Sequence, residues 1–134
     1  MPLHAIFLKA CKEKWSTGHF NAGEFDHMRA IVEVCKEVGA PAIVGTSEGE
    51  RKHLGLREVV AVRDVMRSDF AIPIFLNADH HKSVGFAKEA VDAGYDSVHI
   101  DLSAKSFEEN MAGTREIFAY ARSKNSEISV EGEL

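Results

Sequence analysis

Ile72-Pro73-Ile74-Phe75-Leu76-Asn77-Ala78-Asp79-His80-His81 is the stretch that decides the fold. It opens as a short apolar strand, Ile72 to Leu76, with its proline near the start, where a strand tolerates one. It then turns abruptly into an amide, a carboxylate and two imidazoles. Adjacent residues at a strand end point to different sides, so one of Asp79 and His80 can ligate a metal while its neighbour reaches toward a substrate. His81 is expected to begin the following helix and face solvent.

The same pattern repeats in both directions. Upstream, Gly18-His19-Phe20-Asn21 and Ala42-Ile43-Val44-Gly45-Thr46 read as short strands. Between them, Phe25, Met28, Ile31, Val32, Cys35 and Val38 recur at helical spacing, closed by Gly39 with Pro41 beyond. Leu56, Val59, Val60, Val62, Arg63 and Met66 mark another helix. Downstream, a helix runs from about Ser83 to Ala93, with Gly94 as its left-handed cap. Ser97-Val98-His99-Ile100-Asp101 is a fourth strand. Ser106 and Glu109 form a capping box for a helix carrying Phe107, Met111, Thr114, Phe118 and Ala121. Ile128 to Leu134 reads as a fifth strand. At the start, Leu3, Ile6, Phe7, Ala10, Cys11 and Trp15 share one stripe of an amphipathic helix packed on the domain.

Strands alternating with helices imply a parallel sheet. A doubly wound sheet of flavodoxin type suits the length of 134 residues. A (β/α)8 barrel needs about 250 residues, so only strands one to five would be present. Pattern alone leaves the two level. The strand ends favour the barrel, because all five deliver polar groups at the same end: Asn21; Thr46 and Ser47; Asn77 to His81; His99, Asp101 and Ser103; Glu131 and Glu133. An open sheet gathers its ligand groups at one crevice instead. Each of these residues also has a plainer reading. A lone strand-end histidine is commonly a surface or hydrogen-bonded residue, which covers His99, His4, His19 and His53. Asp101 can cap a loop, and Glu131 can be a solvated carboxylate.

Composition sets outer limits. A hydrophobic share of 45% supplies a core, and a net charge of −5 without a long basic run disfavours nucleic acid. No stretch approaches the roughly 20 apolar residues of a membrane span. The opening segment is too short in its apolar part for a signal peptide and lacks a cleavage site. Cys11 and Cys35 make no disulfide framework, which points to a reducing, cytoplasmic setting.

Several of these segments together resemble the class II, metal-dependent fructose-bisphosphate and tagatose-bisphosphate aldolases. Asn77-Ala78-Asp79-His80-His81-Lys82-Ser83 is similar to the family's His-x-Asp-His signature, and Val130-Glu131-Gly132-Glu133-Leu134 to its Val-Glu-x-Glu-Leu-Gly strand. Ser97 to Ser103, Phe107 to Asn110, Phe20-Asn21 and Ser47-Glu48-Gly49 agree in order and spacing. The resemblance implies residues 1–134 as the N-terminal half of a (β/α)8 TIM barrel, strands 1 to 5 with an N-terminal helix. It implies reversible aldol cleavage of a ketose 1,6-bisphosphate to dihydroxyacetone phosphate and glyceraldehyde 3-phosphate. Fructose 1,6-bisphosphate comes first; the tagatose sugar is the alternative, as is a non-catalytic half-barrel that binds a metal, a phosphate or a partner chain.

By that resemblance Asp79 would be the proton donor and acceptor. His80, Glu133 and Asp101 would serve a Zn2+ site, or one for another divalent cation. Asn21 and Ser47 would orient the phosphorylated sugar. Two departures stand out. Asn77 replaces a family histidine, and the family's other two histidine ligands and its phosphate loops lie past the fifth strand. His80 is then the one imidazole assigned to the metal, so this chain alone is expected to be inactive and to offer a weak, carboxylate-rich site. An open half-barrel is further expected to form a homo-oligomer, its inward side chains, Ile43 and Ile74 among them, lacking an opposing wall.

Overall fold

Helix and strand alternate through the computed structural model, which describes residues 1–134. Helix α1 (Leu3–Glu13) precedes strand β1 (His19–Asn21), followed by α2 (Phe25–Glu37), β2 (Ala42–Thr46) and two consecutive helices, α3 (Glu48–Leu54) and α4 (Leu56–Phe70). Then come β3 (Ile74–His81), α5 (Val84–Ala93), β4 (Ser97–Ile100), α6 (Phe107–Lys124) and β5 (Ser129–Gly132). The strands form one parallel sheet in the order β1-β2-β3-β4-β5. This sequential order settles the choice between architectures. A doubly wound sheet reverses its strand order at a switch point, whereas a (β/α)8 barrel adds each strand beside the last. The fold is five strands of that barrel type.

Period-2 alternation sorts each strand's side chains onto two faces. Outward-facing Val44, Leu76, Val98 and Ile100 are fully buried against the helices, with Met28, Val32, Val59, Ala87, Ala90 and Ile117. Each large side chain buried this way contributes about 1.5–3 kcal/mol. On the inner face, Ile43 and Phe75 lie near the N-terminal ends of β2 and β3. They are covered there by Leu3 and Ile6 of α1, with Trp15 alongside. Helix α1 is thus a plug under the inner face, and the face above it is left to polar groups.

Several sequence expectations change. Ile74 packs into the outer cluster, so Phe75 is the inward neighbour of Ile43. Phe7 and Cys11 are exposed, because α1 buries only Leu3, Ile6 and Ala10. In α6 the buried stripe is Asn110, Gly113, Ile117 and Ala121, while Phe107 and Phe118 point to solvent. Gly113 lies on that stripe because a Cβ there would collide with Leu102. Helix α3 was not foreseen, although its start carries a full capping box: Ser47 Oγ accepts from the Glu50 amide, and the Glu50 carboxylate accepts from the Ser47 amide at 2.7 Å. Strand β3 runs on through His81, which is fully buried rather than solvent-facing.

Candidate active site

The long third strand puts its polar residues in unusual places. Regular alternation would send Asp79 inward and His80 outward. Instead the pairing of β3 with β4 shifts register between Ala78 and His81, and His80 takes φ of 46°, the left-handed region that non-glycine residues rarely occupy. The bulge re-aims His80, so Asp79 and His80 reach one cluster instead of opposite sides. His81 then resumes the outward position. Burial holds its imidazole pKa below the ordinary value, with the positive Arg51 acting in the same direction.

Around the bulge the inner face forms a layered polar network. Lowest, Asn77 bridges three strands: its amide lies 3.2 Å from His19 Nε2, and its carbonyl accepts from Ser97 Oγ at 2.7 Å. Asn77 therefore fills its position through His19 and Ser97. Above it, Asn21 Nδ2 donates to Asp79 Oδ2 at 2.9 Å and to Glu50 Oε2 at 3.2 Å. Burial pushes the Glu50 carboxyl upward, but hydrogen bonds from the Ser47 backbone, Asn21 and the Ser47 side chain outweigh it and leave the pKa lowered. Asp79 is thus held by an amide from β1, its side chain 15% exposed.

Two carboxylate–imidazole pairs complete the site. Asp101 Oδ2 accepts from His80 Nδ1 at 2.8 Å, and Glu133 Oε2 lies 3.1 Å from His99 Nε2. Asp101 is also bonded by Lys82 Nζ and by the Ser103 hydroxyl and amide. The Lys82 contact first, then Ser103 and His80, hold its carboxyl well below the usual range, so it stays an anion. The rings of His80 and His99 are 4.2 Å apart between centroids. Asp79, His80 and His99 present donor atoms within 4.8 Å of one another.

Of the residues expected from the sequence, Asp79 and His80 bring donor atoms within 4.8 Å of each other, and Asn21 joins them through Asp79. Asp101 and Glu133 sit at the same site but point at imidazoles. Ser47 is 3.3 Å from the Glu50 amide as the cap of α3. His99 stands among the strand-end groups of the sequence, in an i, i+2 pair with Asp101, but has no assigned role there, and Glu50 is absent from that reading. Glu50 depended on the helix that went unrecognised. Imidazoles backed by carboxylates, beside a further carboxylate, fit a borderline divalent cation such as zinc. The site opens into a cavity of about 810 Å³ lined by His19, Asn77, Asp79, His80, His99 and Glu133 among others. A larger, apolar cavity of about 970 Å³ lies elsewhere, between α1 and α2.

Comparison with known proteins points to one family. The fructose-bisphosphate aldolase of Staphylococcus aureus (strain Mu50 / ATCC 700699) is 36% identical over 140 residues, covering 100% of this chain and 48% of that protein. The Helicobacter pylori (strain ATCC 700392 / 26695) fructose-bisphosphate aldolase is 38% identical over 130 residues, covering 96% and 42%. The chain spans about half the length of these curated relatives. In fold it superposes on the YdjI aldolase of Escherichia coli K12 with a TM-score of 0.87 at 20% identity, over 99% of this chain and 52% of that one. The Campylobacter jejuni fructose-bisphosphate aldolase gives 0.86 at 20% identity, over 96% and 44%. A family model described as fructose-bisphosphate aldolase class-II matches residues 1–134 from end to end, and the chain belongs to that family.

Proposed function

We propose that residues 1–134 are the N-terminal half of a class II aldolase barrel and carry the proton-transfer side of its active site. The reaction is reversible cleavage of fructose 1,6-bisphosphate into dihydroxyacetone phosphate and glyceraldehyde 3-phosphate, a step of carbohydrate metabolism. The observation that carries this reading is Asp79 fixed by Asn21 beside the His80 imidazole, at the strand end where barrel enzymes act. Asp79 takes the proton from the substrate hydroxyl as the carbon–carbon bond breaks and returns it in condensation. Asn21 orients that carboxylate and occupies one of its oxygens. Ser47 and Asn21 lie at adjacent strand ends, where a phosphorylated sugar would seat.

His80 would hold the metal, with Asp101 fixing the His80 ring. When bound, a divalent cation supplies Lewis-acid stabilisation of the negative charge that bond cleavage leaves on the ketose half. The fructose sugar is favoured over the tagatose sugar by the names of both curated relatives. Two free thiols suit a reducing cytoplasmic setting, and no helix is long and apolar enough to cross a membrane.

A coupled assay with each sugar, with and without zinc, tests the reading. It compares the 134-residue chain with the same chain fused to the remaining half of the Staphylococcus aureus relative. The expected result is no turnover by the chain alone and zinc-dependent cleavage of the fructose sugar by the fusion. A folded fusion that binds zinc and cleaves neither sugar contradicts the proposal.

A further inference from the structure

We infer that His99 is a second imidazole donor to the same metal as His80, so that this half of the barrel holds a two-histidine site of its own. The inference rests on the assignment of His80 as a metal donor and adds a residue to which the family resemblance gives no role.

Three observations converge on His99. First, it is an imidazole facing inward from β4, only 4% exposed, in a row whose other members are Ser97 and Asp101. An imidazole used only for packing would more naturally lie on the apolar outer face, with Val98 and Ile100. Second, its hydrogen bonding leaves one nitrogen uncommitted. Nε2 pairs with Glu133, so Nε2 carries the proton and Nδ1 keeps its lone pair. Nδ1 faces Asp79 Oδ1 at 3.7 Å, beyond hydrogen-bond range. Third, His80 is arranged in the same sense. Its Nδ1 pairs with the Asp101 anion, which leaves Nε2 as the donor. A carboxylate on the far nitrogen of each ring is the support that metal-bound histidines characteristically have.

The His80 and His99 donor atoms, within 4.8 Å of each other, need small side-chain adjustments to reach the roughly 3.3 Å separation set by metal–nitrogen bonds of about 2.0–2.1 Å in a tetrahedral site. Two imidazoles beside a carboxylate favour zinc or cobalt over magnesium or calcium, which take oxygen donors. The plainer account of His99 is a hydrogen-bonded core residue. It explains the Glu133 contact but not the two rings lying 4.2 Å apart beside Asp79, with His99 Nδ1 3.7 Å from its carboxylate.

The experiment is zinc titration of the 134-residue chain against a chromophoric chelator. It compares wild type with His80→Ala, His99→Leu and Glu133→Gln, each checked for folding by circular dichroism. Long-range nitrogen–proton NMR of the wild type, with and without zinc, reads which imidazole nitrogens shift. We expect His80→Ala and His99→Leu each to weaken zinc binding on the order of 100-fold, and Glu133→Gln to weaken it about 10-fold. In the wild type, His99 Nδ1 and His80 Nε2 should shift together at one equivalent of zinc. Unchanged affinity in His99→Leu, with loss in His80→Ala, overturns this inference and leaves the His80 assignment standing. Unchanged affinity in both variants overturns the two together. If His99→Leu does not fold, the NMR arm decides alone, and a His99 Nδ1 signal unmoved by zinc overturns the inference.

Discussion

His80 holds a left-handed backbone conformation that costs an L-residue roughly 1–2 kcal/mol, and it is half exposed, so packing does not demand it. The strain is sustained by the bulge and by the Asp101 contact, and it aims the ring inward. Stability and metal binding should therefore separate at this position. Glycine adopts the same φ freely, so His80→Gly should leave the melting temperature unchanged or raise it, while His80→Ala lowers it; both should lose zinc. Thermal melts and zinc titration of the two variants check this, and a glycine variant less stable than the alanine variant contradicts it. The sequence showed Asp79 and His80 as a reactive pair from residue type and strand-end position alone. It could not show that they face the same way, because a bulge arises from how β3 pairs with β4. His99 was passed over because a single strand-end histidine is usually unremarkable, and its meaning lies in contacts with Glu133 and Asp79, both distant in sequence.

Among the elements, β2, α2, α5 and α6 were legible because period and caps agree: Gly39 and Gly94 have positive φ, and the Ser106–Glu109 box starts α6. Helix α3 was hidden because seven residues rich in charge carry little periodic apolar signal. The buried stripe of α6 was misjudged because a glycine and an asparagine hold places that a hydrophobic pattern assigns to large residues. Asn110 lies there to donate to the Glu133 carbonyl at 2.6 Å, pinning the end of β5 near the site. One carboxylate ties several elements together. Asp96, just before β4, accepts from Arg63 and Arg67 of α4 and from the Leu76 amide of β3. Removing it strands the buried Arg63 guanidinium, whose side chain is 5% exposed and which keeps only Asp64 and the Gly94 carbonyl. Asp96→Ala should cost about 2–4 kcal/mol, read by urea denaturation, with loss below 1 kcal/mol as the contrary result. Gly45 makes a different demand. A Cβ there would meet the His19 ring and approach the Asn21 amide, so Gly45→Ala should disturb the Asn21–Asp79 contact more than the fold. In a completed barrel it should lower kcat with little change in melting temperature; a fall in stability with kcat intact contradicts this.

For the whole molecule, the open inner face has the largest consequences. Helix α1 covers it only at the N-terminal ends of the strands, and β1 and β5 each carry an unpaired edge. Phe20 and Phe7 are 48% and 42% exposed. Apolar surface and free strand edges of this kind favour association. Light scattering of the 134-residue chain at micromolar concentration should report a dimer or larger species, whereas the fusion that completes the barrel should lose that tendency. A monodisperse monomer of the short chain would contradict this account of the face. The most direct test of the central claim, that this half supplies the acid–base group and a metal ligand of an aldolase, uses that same fusion with Asp79→Ala and His80→Ala. Zinc content and turnover of fructose 1,6-bisphosphate are measured side by side. Asp79→Ala should keep its zinc and lose turnover on the order of 10²–10⁴-fold, while His80→Ala loses both. Turnover surviving in the Asp79 variant, or full zinc occupancy in the His80 variant, would contradict the account.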